Sequence, residues 1–327
     1  MRRLFRTTVS LLFVAGATAA AAQMPTVRIQ DIDGMTTTLS RIAVEKGFCP
    51  KHGINCVLQK INSGPLAIQG VLAGSIEIAT PSPEIAISAS ARGSDLKAIA
   101  GHWAKNSFML ITGPDMAEAG KRGYPSVIQD LKGKRIGVNI RGSAGEFLFT
   151  TMLQDQGLKP SDVTYVAVGV GNTAYQALQT RQVDAVMAFA PMDGFCNVLK
   201  TCTIAMSIGD GQGPKDIVAT RGNGGMYIAS RDYAAKNPKV ISSFLSAMAE
   251  AERFIKDPAN RDEELRITLK YFRLDMPQGE AITRDSLERW RSAISLVPDR
   301  AATQAIADYM LKTGQLQAPV NVAKLLD

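Results

Sequence analysis

The order of its elements constrains this chain most. Over residues 27–208, short β-like runs alternate with helical stretches in two successive sets. The first set reads as strand 27–31, helix 38–46, strand 54–58, helix 65–73, short buried strand 76–79 and helix 83–92, then strands 96–101 and 108–112. Residues 113–125, rich in Gly, Pro and charge, interrupt it. The second set reads as strand 135–139, helix 143–156 stopped by Gly157, strand 163–168, helix 172–180, strand 185–188, helix 191–200 and strand 203–208. Repeated strand–helix–strand units predict mostly parallel sheets flanked by helices. Residues 209–225 are Gly-rich again, and from Tyr233 onward the pattern is helical, with turns near Pro238, Pro258, Pro277 and Pro298. The expected fold class is therefore α/β with two lobes. One lobe is discontinuous, 23–112 plus 222–327, and the other, 113–221, is inserted in it, with crossings at 113–125 and 209–225.

Residues 1–22 read as a leader and stand apart from this fold. Arg2, Arg3 and Arg6 precede an apolar run at 9–16, and small residues end at Ala22. That is the layout of a secretory signal peptide cleaved after Ala22. The run is shorter than the roughly 20 residues that span a bilayer. No Cys follows the cleavage point, so a lipid anchor is not expected. The expectation is a soluble, exported, monomeric protein. The formal charge of +7 falls to +4 once the three arginines leave with the leader. The remaining Lys and Arg are interleaved with Asp and Glu, without the basic stripe of a nucleic-acid binder.

Four cysteines fall in two close pairs, Cys49 with Cys56 and Cys196 with Cys202. Export implies an oxidising compartment. Three pairings are possible on paper. Local pairing is expected, and the spacing suits a disulfide better than a zinc site, although His52 lies between the first two. No metal and no cofactor are expected.

In open α/β sheets, ligands bind beyond the carboxyl ends of the strands, where loops lead into helix N-termini that favour negative groups. Several loops here have that character. Asp33 and Thr36 follow the first strand. Ser63, Gly64 and Pro65 open one helix, Thr80 and Ser82 another, Ser143 and Ala144 a third. Asn172 and Ala190 begin two more. Ser143 with Glu146 has the form of a capping box. Arg141 is the leading candidate for an oxyanion, because its guanidinium fork suits bidentate binding; Arg221, in the return crossing, is a second. Trp103, which follows His102, could stack on a flat ligand, as could Phe189 and Tyr227. Catalytic signatures are missing: no Gly-x-Ser-x-Gly elbow, no His-Glu-x-x-His and no Walker loop occur, and the chain has two His.

Several stretches carry a family resemblance. They are Gly64-Pro65; Val71-Leu72-Ala73-Gly74-Ser75-Ile76-Glu77-Ile78-Ala79; Leu131-Lys132-Gly133-Lys134-Arg135-Ile136-Gly137-Val138; Val183-Asp184-Ala185-Val186; and Ser230-Arg231-Asp232-Tyr233. Together they resemble the nitrate/sulfonate/taurine-type substrate-binding proteins of ABC importers, a group that includes thiamine-precursor binders. The resemblance implies a type II periplasmic binding protein fold that closes on a small molecule. It also implies docking onto a permease with cytoplasmic ATPase subunits. It places Ser63-Gly64, 80–82, 141–144 and Ala190-Pro191 around the cleft. The two Cys pairs are not part of the family pattern, and the fold leaves the ligand open. A small organic anion, sulfonate or carboxylate, is expected first. A neutral heterocycle such as a pyrimidine is the alternative ligand, and a sensor subunit the alternative role. An enzyme on the same fold would need a dense Cys cluster and catalytic His residues, which the chain lacks.

Overall fold

The computed structural model describes residues 23–327; the leader and its cleavage point lie outside them. The chain runs β1 (Thr26–Asp31), α1 (Thr38–Glu45), α2 (Phe48–Lys51), β2 (Asn55–Lys60), α3 (Gly64–Ala73), α4 (Pro83–Ala91), β3 (Leu96–Trp103) and β4 (Met109–Thr112). It continues with α5 (Ala117–Arg122), α6 (Ser126–Asp130), β5 (Arg135–Val138), α7 (Ala144–Asp155), β6 (Thr164–Ala167), α8 (Asn172–Gln179), β7 (Ala185–Ala188), α9 (Met192–Leu199) and β8 (Thr203–Ser207). After α10 (Lys215–Val218) and β9 (Gly225–Ser230) come α11 (Arg231–Lys236), α12 (Pro238–Lys256), α13 (Arg261–Tyr271), α14 (Gly279–Trp290), α15 (Arg300–Lys312) and α16 (Ala323–Leu326). No helix among the described residues is long and apolar enough to cross a membrane.

The first lobe is built on two strand pairs, β1 parallel to β2 and β3 antiparallel to β9. The segment around Ile78 and Ala79 joins them by single bridges, Ile29 to Ile78 and Ala79 to Ile228. The second lobe holds a five-stranded sheet in the order β6-β5-β7-β4-β8. There β5 runs parallel to β6 and β7, while β4 is antiparallel to β7 and β8. The sheets are thus mixed, with antiparallel strands where the chain changes lobe.

Sheet membership corrects the lobe expected for strand 108–112. All four residues of β4 are buried, so the strand needs covered neighbours on both sides, and it finds them between β7 and β8. The outward crossing therefore falls between Trp103 and Met109. Residues 113–125 are not that crossing: α5 packs its Gly120 against Thr112 and Thr203 of the second sheet. The two crossings run side by side. Asn106 N–H donates to the Arg221 carbonyl (2.9 Å) and Gly224 N–H to the Trp103 carbonyl (2.8 Å).

The C-terminal helices do not belong to the first lobe alone. Helix α14 lies on α9 of the second lobe, and the Gly194 Cα sits directly against the Ile282 carbonyl. Beside it the buried Asp193 carboxylate accepts from Ser286 Oγ (2.7 Å) and Trp290 Nε1 (2.8 Å). Burial raises the Asp193 pKa, and those donors oppose the rise.

Both local disulfides are present, Cys49–Cys56 and Cys196–Cys202, with sequence separations of 7 and 6. The first ties α2 to β2; the second ties α9 to the start of β8. Closing loops this short is worth about 2.5 kcal/mol each in the chain-entropy account. A Cys49→Ser/Cys56→Ser variant is therefore expected to lose about that much stability in urea unfolding, with little change in ligand affinity.

Candidate ligand cleft between the lobes

Between the lobes lies a cleft of about 620 Å³, part of it open to solvent. The first lobe lines it with Ile32, Thr36, Asn62, Gly64, Pro65, Thr80, Pro81, Ser82, Ile85 and His102. The second contributes Asn139, Ile140, Ser143, Ala144 and Phe189, and the crossings add Ser107, Phe108 and Gly224. No Lys, Arg, Asp or Glu is among these residues.

Three helix N-termini open into this space, those of α3, α4 and α7. Ser63 caps α3 in the ordinary way, its hydroxyl accepting from Leu66 N–H (3.3 Å). Ser82 and Ser143 precede α4 and α7 but make no side-chain cap hydrogen bond. Both hydroxyl oxygens are buried; among the described residues Ser143 Oγ has no partner, and Ser82 Oγ, without a hydrogen bond of good geometry, lies beside the buried Glu84 carboxylate. A buried hydroxyl without a partner costs roughly 1–3 kcal/mol. First-turn N–H groups of a helix also lack intrahelical partners. Ser143 and the first turn of α7 thus present unused donors to the cleft, the arrangement that favours an oxyanion, whereas α4 begins with Pro83, which has no N–H to give.

The capping box expected at α7 does not form, and this frees Ser143. Glu146 accepts instead from Gly142 N–H (2.8 Å) and from the Arg141 guanidinium at 3.0 and 2.9 Å. Gly142, at φ +72°, makes the turn that lets Arg141 fold back onto Glu146. Arg141 is consequently outside the cleft, in a separate surface depression with Thr150 and Tyr165, its guanidinium 5.5 Å from the Tyr165 ring centre. Its expected role as an oxyanion ligand is corrected on that ground.

Other candidates separate by strand and helix geometry. Thr36, Gly64, Thr80, Ser82, Ser143 and Ala144 all line the cleft. Asp33 stays at the rim, ion-paired with Lys60 and accepting from Asn62 Nδ2 (2.7 Å). Ala190 is buried behind Phe189, its carbonyl against Gly34 of the opposite lobe. Asn172 is exposed on α8 and Arg221 is exposed beside Gly211; neither lines the cleft. Trp103 is core, 3% exposed with its ring centre 6.4 Å from that of Trp290. Strand β3 is irregular between Gly101 and Trp103, and such a break re-aims side chains: Trp103 packs in the core while its neighbour His102 lines the cleft. Tyr227 stands behind His102, its hydroxyl paired with Ser40 (2.7 Å).

His102 was the residue most easily missed. It is 3% exposed, and neither ring nitrogen makes a hydrogen bond of good geometry. Burial pushes its pKa down to about 4, opposed only by the Thr36 backbone. The unfolded chain then binds a proton that the native state refuses between roughly pH 6.5 and 4. Stability from this group is intact above pH 6.5 and falls by about 1.4 kcal/mol per unit below it. A His102→Phe variant is expected to lose that slope, read as the difference between wild-type and variant unfolding free energies over pH 4–7.

Comparison with known proteins extends this picture. The model of the family described as "NMT1/THI5 like" matches residues 37–260. A binding protein of Brucella abortus is 25% identical over 296 residues, covering 87% of this chain and 84% of its own. A solved structure from Bordetella bronchiseptica superposes with a TM-score of 0.74 at 23% identity, covering 93% of this chain and 95% of that one. The periplasmic aliphatic sulphonate binding protein of Escherichia coli gives 0.69 at 20% identity, with 92% and 97% covered. At such identities the structural likeness concerns the fold, which is that of the periplasmic binding proteins: two α/β lobes around a cleft.

Proposed function

This chain belongs to the NMT1/THI5-like family, and from that premise we propose that it is an exported solute-binding subunit that captures a small organic anion between its lobes. The anion is a sulfonate or carboxylate, delivered from the periplasm to an importer with a membrane permease and cytoplasmic ATPase subunits. One observation carries the reading: the N-termini of α4 and α7, from opposite lobes, open into one cleft, and there the buried Ser143 hydroxyl has no partner among the described residues. A ligand gripped from both lobes favours the closed state by its differential affinity. The likeness to a sulphonate binding protein supports the ligand class. The cleft's lack of a Lys or Arg favours a second reading, a neutral heterocycle stacked near Phe189.

A thermal-shift screen of residues 23–327 against sulfonates, carboxylates, nitrate and pyrimidines tests this. A ligand at one hundred times its Kd adds about 2.7 kcal/mol of apparent stability. The expected result is a shift with an organic anion that the Ser82→Ala/Ser143→Ala variant loses and Arg141→Ala keeps. A shift confined to pyrimidines would select the second reading.

A further inference from the structure

The polar groups of the cleft fall into two kinds. Ser82 and Ser143 stand at helix N-termini, where an oxyanion is favoured. His102 stands near the end of β3. Its ring is tilted on Tyr227, with centres 5.1 Å apart at 54°. The ring also lies flush on Gly225, where any Cβ would overlap Cε1 and Nε2. The imidazole is thus held on two sides, with the Thr36 backbone as its polar neighbour. The hydroxyl of Tyr227 is already engaged by Ser40.

We propose that His102 reads a second, uncharged hydrogen-bonding group on the ligand. The ligand is then an organic anion with a hydroxyl, amino or carbonyl group on an apolar body. This rests on the anion reading above and narrows it. The apolar body has matching walls in Ile85, Phe108, Ile140 and Phe189. A neutral imidazole offers one donor and one acceptor, and a hydroxyl can satisfy either. Burial keeps the ring neutral at ordinary pH, so it discriminates by pairing and not by charge. An analogue lacking the group leaves a buried polar ring unpaired, which is expected to weaken binding about 10- to 100-fold.

The test is calorimetry of residues 23–327 with benzoate, the three hydroxybenzoates, benzenesulfonate and 4-hydroxybenzenesulfonate. A ¹⁵N-histidine spectrum accompanies each titration. The chain has two His, and His52, paired with Glu250 at 3.1 Å, serves as internal reference. At least one hydroxylated member is expected to bind tenfold or more tighter than its parent and to shift the His102 resonances while His52 stays put. His102→Phe, which keeps a ring on Tyr227, is expected to bring the pair within about twofold. Equal binding of parent and hydroxylated anions, or still His102 resonances on binding, overturns the inference and leaves the anion reading intact. If no anion of either series binds while another sulfonate or carboxylate shifts the melting temperature, this inference is overturned and the anion reading stands. The wild-type spectrum decides the matter even if the variant does not fold.

Discussion

Ala144→Asp is expected to weaken anion binding by two orders of magnitude or more, with the fold retained. Ala144 is the first residue of α7, 4% exposed, and it lines the cleft. An aspartate there places a carboxylate on the helix end where the ligand's own charge is held. Two like charges about 5 Å apart at an effective dielectric near 20 repel by about 3 kcal/mol, a factor of roughly 200 in Kd. The same carboxylate is favoured by the N-terminus of α7, so the variant's unfolding free energy should change little. Ala144→Asn supplies the control, since it has nearly the same shape without the charge. A large loss with Asp and a small one with Asn, measured by calorimetry, identifies an anionic ligand. Equal losses with both would mean that space and not charge decides, as a neutral heterocycle requires.

Gly194→Val is expected to destabilise the protein by about 3 kcal/mol or more, lowering Tm by about 5 °C. A Cβ at residue 194 would overlap the Ile282 carbonyl oxygen. Both positions are helical backbone, so no side-chain rotation relieves the clash, and α9 and α14 must move apart. Doing so also stretches the hydrogen bonds from Ser286 and Trp290 to Asp193. A buried carboxylate that loses its donors is costly in itself. Scanning calorimetry checks the result. An unchanged Tm would show that α14 is not fastened to the second lobe as described.

Much of this fold was legible because its signals are local. Strand and helix periodicity, Pro at the starts of α3 and α4, and the stop at Gly157 all act within a few residues. The same is true of the cysteines, whose close spacing already favoured local closure. The loops that line the cleft could be read too, since the carboxyl ends of strands in an α/β fold point to them. Thr36, Gly64, Thr80, Ser82, Ser143 and Ala144, which line the cleft, follow from that rule together with the family resemblance.

What sequence could not decide were questions of partner and direction. Residues 108–112 read as a strand, but only pairing shows that it lies between β7 and β8. Arg141 has the chemistry of an oxyanion ligand, but Glu146 and the Gly142 turn hold it on the outer face. Trp103 is the candidate on paper and His102 only its neighbour, but the irregularity of β3 between Gly101 and Trp103 leaves His102 lining the cleft and Trp103 in the core. β9 went unread because a short strand after a Gly-rich tract has no periodicity of its own, and its partner β3 lies more than a hundred residues earlier. The sequence by itself determined most of the elements and their order, favoured local closure of the two cysteine pairs and pointed to loops that could hold a ligand, because each depends on neighbours along the chain. Tertiary structure alone decided which side chains meet in the cleft and which remain unpaired there, because that depends on groups brought together from both lobes.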